Sequence, residues 1–160
     1  PLEAGRHLLQ TLHASRPSGV ETEVFVFGKL PLAFSARCFT ARYYGLNKDD
    51  CQFRCLEHPQ GMTVKTREGQ AFLTINGIQT MSAQTYNLLA EVPELCALQV
   101  DVLRISPQPD HMPEIIAAFD RARQSQKVES RAEWGDEGFA NGFWHGEAGM
   151  MQKKQKGESE

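Results

Sequence analysis

Three short runs rich in Val, Leu, Ile and Phe, each about one strand long, set the terms on which this chain folds. They are Val20–Phe27 (VETEVFVF), Ala71–Ile75 (AFLTI) and Leu98–Ile105 (LQVDVLRI). Branched and aromatic side chains pack well on a pleated surface, so each run reads as a strand. Helical patterns lie between and around them. Leu2, Leu8, Leu9 and Leu12 form a stripe that ends at the breaker run Arg16-Pro17-Ser18-Gly19, and Ser82–Val92 reads as a helix with Ser82 as its N-cap. Met112–Arg123 places Ile115, Ile116 and Phe119 on one face. Gly28, Asn76-Gly77 and the stretch Ser106–Asp110 supply the turns.

Helix, strand, insertion, strand, helix, strand, helix is the order of parallel βα units, because parallel strands need long crossovers and helices supply them. The expected class is therefore α/β. Three strands are too few to close a barrel. Either the sheet is small and open or half of it lies on missing sequence. The chain opens at Pro1 without an initiator Met, and we read residues 1–150 as the C-terminal part of a larger α/β domain. Residues 29–68 form an insertion with weak periodicity, and so long an irregular stretch inside a compact domain is usually functional. Trp134–Trp144, with Gly135, Gly138 and Gly142, is expected to pack as a loop, and residues 151–160 to form a disordered charged tail.

Composition narrows the function. With 41% hydrophobic and 23% charged residues the chain is neither disordered nor fibrous, and 160 residues suffice for one core. A net charge of -3 argues against a dedicated DNA-backbone binder. No apolar run approaches the roughly 20 residues of a membrane span, nor is there a secretory signal. A cytoplasmic protein without membrane insertion is the expectation.

Three of the four cysteines, Cys38, Cys51 and Cys55, fall in the insertion as C-x12-C-x3-C. Clustered thiols in a reducing compartment are more often metal ligands or catalysts than cross-links. Thiolates suit soft metals and iron–sulfur clusters, and the x3 spacing lets Cys51 and Cys55 face one way from a single helical turn. Zinc is a rival, although structural zinc favours C-x2-C knuckles. Small buried apolar residues are the remaining reading. Cys96 lies where a helix runs into a strand and is expected to be buried and structural. His58, next to Pro59, is either a further ligand or a solvated loop residue.

The residues resemble the collagenase-like peptidase superfamily. Its opening signature E-x-F-x-x-G is filled by Glu23, Phe25 and Gly28, followed by Leu32-Ala33-Phe34-Ser35-Ala36-Arg37-Cys38. Where the UbiU-like and peptidase branches carry a cysteine three residues after the glycine, this chain has Pro31. The spacing of Cys51 and Cys55, Asn76-Gly77-Ile78-Gln79-Thr80-Met81-Ser82 and Asp101-Val102-Leu103-Arg104-Ile105-Ser106-Pro107-Gln108 are similar to the UbiV-like branch, and Asn141-Gly142-Phe143-Trp144 to the family's C-terminal end.

That resemblance implies a TIM-barrel-like fold of which only the C-terminal half is present. It implies a four-iron four-sulfur (4Fe-4S) cluster on Cys38, Cys51 and Cys55, with the fourth cysteine in the missing N-terminal part. It further implies a heterodimer with a UbiU-like protein, fed by a lipid-carrier protein, in oxygen-independent (anaerobic) hydroxylation of the aromatic ring of ubiquinone precursors. Whether the chain is itself an enzyme or a subunit of a hydroxylase complex stays open, and no catalytic residue is assigned. The alternatives are a peptidase, an RNA-base hydroxylation factor and a non-catalytic metal-stabilised interaction module. For a peptidase the scattered histidines 7, 13, 58, 111 and 145 offer no H-E-x-x-H, and Ser35 no nucleophile elbow. A site held in barrel loops lies at the carboxyl ends of strands, which makes Asn76, Gln79, Arg104 and Gln108 candidates to face it.

Overall fold

A computed structural model of the chain describes residues 4–153. Helix α1 (Gly5–Ser15) buries Leu9 and leaves Leu8 and Leu12 half in water. Strand β1 (Glu23–Phe34) follows and runs well past Gly28, where the sequence pattern had it stop. Two features explain both the reading and the error. Gly28 has φ +122°, open only to glycine, and Pro31 has no N–H to give a neighbour. The register with the next strand shifts on each side of Pro31, so β1 continues as an irregular strand where a regular one would break.

Strands β2 (Met62–Lys65), β3 (Ala71–Asn76) and β4 (Gln79–Asn87) make antiparallel hairpins. The turn between β3 and β4 is the two residues Gly77-Ile78, with Gly77 at φ +59°. So short a turn can join only antiparallel neighbours. The expected helix Ser82–Val92 is therefore corrected: its first half is strand, and Ser82 caps nothing. Its hydroxyl accepts the N–H of Leu30 (2.9 Å) and donates to the carbonyl of Gln84 (2.8 Å), beside the irregular part of β1.

Helix α3 (Val92–Ala97), strand β5 (Val102–Ile105), helix α4 (Met112–Arg123) and strand β6 (Phe139–Ala140) complete the order. The strands form one six-stranded mixed sheet, β2-β3-β4-β1-β5, with β6 beside β4. Only β1–β5 and β4–β6 are parallel. The fold is α/β, but the expected run of parallel βα units gives way to hairpins on one side of β1.

The core gathers Val26 and Phe27 of β1, Leu88 and Leu89, Val92 and Leu95 of α3, and Ile115 and Phe119 of α4. Phe27 and Phe119 meet edge to face at 5.8 Å between ring centres. Ile116, expected on the same face, is 53% exposed, because one residue along a helix turns about 100° away. The same geometry corrects Cys96, which is exposed, while its neighbour Leu95 is wholly buried. Trp134 and Trp144 are buried in the C-terminal loops. Asn141 ties residues 151–153 to them through bonds with Met151 and Lys153, and the rest of the expected tail, 154–160, lies outside the described residues.

The phase of α3 has a direct test by chemical denaturation. Leu95→Ala is expected to lower unfolding free energy by about 2–5 kcal/mol, through lost burial and a cavity, whereas Cys96→Ala stays within about 0.5 kcal/mol.

Candidate functional site

The insertion is pinned to the sheet at one end. The N–H of Phe39 donates to the carbonyl of Gly77 (2.7 Å), and Thr40 Oγ1 accepts the N–H of Gly77 (3.0 Å). These bonds hold helix α2 (Phe39–Tyr43) against the β3–β4 turn. Cys38 caps α2, its Sγ accepting the N–H of Ala41 at 3.4 Å. Two single 3₁₀ turns follow, Lys48–Asp50 and Arg54–Glu57. Cys51 closes the first and Cys55 lies in the second, which packs against α2. Between them Gln52 and Phe53 hold left-handed backbone, φ 51° and 50°, uncommon for residues with side chains. His58 is no free loop residue: its Nε2 lies 2.7 Å from Tyr44 Oη, the rings stack, and the Arg54 guanidinium covers Tyr44 from 5.4 Å.

Cys38, Cys51 and Cys55 are all half-buried, and Cys96 sits on α3, away from the insertion. Among the described residues no three His, Cys, Asp or Glu side chains are gathered closely enough to hold a metal ion. The donor set nevertheless matches a thiophilic group in kind. It consists of three thiols, and the buried Nε–H of Arg54, next to Cys55 in sequence, has no acceptor among the described residues. Such an orphaned donor suits a neighbour that carries negative charge, as thiolate-bound iron does.

Where the insertion returns to the sheet it walls a cavity of about 590 Å³. The cavity lies at the carboxyl end of β5 and beside the middle of β1, at Gly28, Lys29 and Pro31, and all four polar candidates, Asn76, Gln79, Arg104 and Gln108, line it. Pro59 and Gln60 form the insertion's side. Gly28 allows the floor to close, since a Cβ there would stand 2.5 Å from Cβ of Ser106. The cavity's two cations are already engaged. Lys29 Nζ reaches the carbonyl of Gln60 (3.2 Å), Thr74 Oγ1 (3.3 Å) and Asp136 (3.6 Å), and Arg104 pairs with Glu23 at 2.8 Å. Gln108 donates to the carbonyls of Asp110 and Trp134, and Gln60 to the Asp110 carboxylate. The side-chain amides of Asn76 and Gln79 have no partner among the described residues. With the Ser106 hydroxyl, which likewise has no partner among the described residues, they are free hydrogen-bonding groups of the site. Lys29, Pro59 and Gln60 escaped the sequence reading, although Lys29 directly follows the signature glycine.

A hydrolytic arrangement is not assembled here. Among the described residues the one Ser or Thr hydroxyl bonded to an imidazole is Thr22, 2.9 Å from His13 Nε2. The nearby carboxylate, Asp101, accepts from the Thr22 N–H and hydroxyl and from Arg16, whereas a triad needs it on the imidazole. The Thr22 N–H, then Arg16 and the Thr22 hydroxyl, hold the Asp101 carboxyl down at about 2. The cluster ties the end of α1 to the entry of β5.

The model of Peptidase family U32 matches residues 6–148. No solved structure matches the chain.

The floor of the cavity supplies a prediction. Gly28→Ala forces both a backbone conformation closed to alanine and a clash with Ser106, and is expected to cost about 3 kcal/mol. Gly77→Ala, with open space around its Cβ position, is expected to cost only about 1 kcal/mol. Equal losses in urea denaturation would remove Gly28 from its place under the site.

Proposed function

Because the chain belongs to peptidase family U32, we propose that it is an iron–sulfur protein of the UbiV-like branch that, with a UbiU-like partner, takes part in oxygen-independent hydroxylation of an aromatic ring in ubiquinone biosynthesis. One observation carries the proposal: four polar residues from separate loops and strand ends converge on a single cavity, and the cysteine-bearing insertion forms one of its walls. A cavity of this size suits a small molecule. Cys38, Cys51 and Cys55 would hold a 4Fe-4S cluster, with the fourth thiolate from the N-terminal part of the full-length protein. When bound, the cluster supplies one-electron chemistry.

The chain's own residues bind and orient the ring. Phe25, Met81 and Ile105 offer apolar walls for its faces. The free amides of Asn76 and Gln79 both donate and accept, so they pair with a hydroxyl or a carbonyl on its edge. Gly28 brings the backbone close beneath it. Handing the ring over from a lipid-carrier protein belongs to the same proposal. The peptidase alternative keeps the support of the family match, although among the described residues no hydroxyl, imidazole and carboxylate stand in sequence.

Anaerobic reconstitution of the full-length protein with iron and sulfide is expected to give a brown product with about four irons per chain. Cys38→Ala, Cys51→Ala and Cys55→Ala each lose the colour, and Cys96→Ala keeps it. A colourless protein with one bound zinc, or loss of iron from the Cys96 variant alone, refutes the ligand assignment.

A further inference from the structure

A second hollow of about 330 Å³ lies along β1, walled by Leu8 and Leu12 of α1, Val24, Tyr86, Phe143 and Trp144. Its lining is almost wholly apolar, and Leu8, Leu12 and Phe143 are each close to half exposed. Tyr86 adds no charge at ordinary pH, since burial and then the nearby Glu91 carboxylate push its hydroxyl up to about 12. Isolated apolar residues on a surface are unremarkable, but a concave cluster of this kind is a binding feature.

The groove borders the polar cavity. Phe25 lines both. Glu23, a wall of the groove, is ion-paired at 2.8 Å with Arg104, a wall of the cavity. The two hollows therefore lie side by side along one strand, one offering free amides and the other, apart from the ion-paired Glu23 at its edge, mainly hydrocarbon. That division fits one class of molecule, a polar ring bearing an apolar chain. We propose that the α1–β1 groove binds the hydrocarbon chain of a ring compound whose polar head occupies the cavity, the chain crossing over Phe25. The proposal rests on the reading of the cavity as the ring site and adds a chain-length specificity to it.

Phenol, 4-butylphenol and 4-octylphenol, titrated calorimetrically into the full chain, separate the two readings. Affinity is expected to rise about two- to fourfold per methylene, the upper figure corresponding to full burial. Leu12→Asp, or Phe143→Ser should the first variant fail to fold, is expected to abolish the rise while leaving phenol itself unchanged. Gln79→Ala is expected to weaken all three compounds by a similar factor and keep the rise. Binding of phenol with no gain from the chain overturns the groove assignment alone, as does a gain that survives both groove variants. If none of the three compounds binds, the ring-site reading falls and the groove assignment falls with it.

Discussion

Everything near the site depends on β1 satisfying hydrogen bonds on both of its edges. A buried strand cannot leave its N–H and carbonyl groups unpaired. Here β4 serves one edge in antiparallel register and β5 the other in parallel. Antiparallel pairing brings the β3–β4 turn, and with it Asn76 and Gln79, to the far end of β1. Parallel pairing sets Arg104 beside Phe25 and ends β5 opposite Phe27, so that the loop after β5, with Gln108, reaches the cavity beside the middle of β1. One central strand with neighbours of opposite sense thus assembles a cavity from segments distant in sequence.

The defects in β1 belong to the same design. The register shifts on either side of Pro31 interrupt its ladder beside the cavity, and Ser82 takes up the N–H of Leu30 that irregular pairing leaves over. Beyond the interruption β1 still reaches Phe34, and from there the chain enters the insertion, which the turn at Gly77 then anchors. The insertion is held by local bonds and by the stack of Arg54, Tyr44 and His58, with little hydrophobic core of its own. Phe53 and Leu56 stay more than two thirds exposed. Its fixed points are the two ends, which border the sheet and the cavity.

How much of this was legible in the sequence follows from which signals are local. Helix α4 and strand β3 have clean periodicity between good breakers, and their limits were read closely. Strand β4 was missed because Gln79–Asn87 is mostly polar and small, so its strand character comes from pairing on both sides, which no window of sequence contains. Cys96 was misplaced by a single residue of helical phase, since six residues give too short a stripe to fix it. The polar residues of the cavity were found by a rule of topology, that sites lie at the carboxyl ends of parallel strands. Arg104 and Gln108 stand at the carboxyl end of β5, which is parallel to β1, whereas Asn76 and Gln79 flank the turn of an antiparallel hairpin and reach the same cavity outside that rule.

The state of the polar groups says what kind of recognition the cavity performs. Its two cations face their own carboxylates, so an incoming anion would have to displace Glu23 or Asp136 to gain them. Gln60 and Gln108 spend their N–H groups on the loop that closes the far side. Among the described residues the amides of Asn76 and Gln79 keep both donor and acceptor free, on either side of a two-residue turn with Gly77 in left-handed backbone. Backbone pairing fixes where these two side chains start, and a ligand that buries their amides unpaired forfeits the cost of desolvating them. On the proposed reading, selectivity in this cavity rests on hydrogen bonding at the edge of a neutral ligand and not on charge, a requirement that a neutral hydroxylated ring meets.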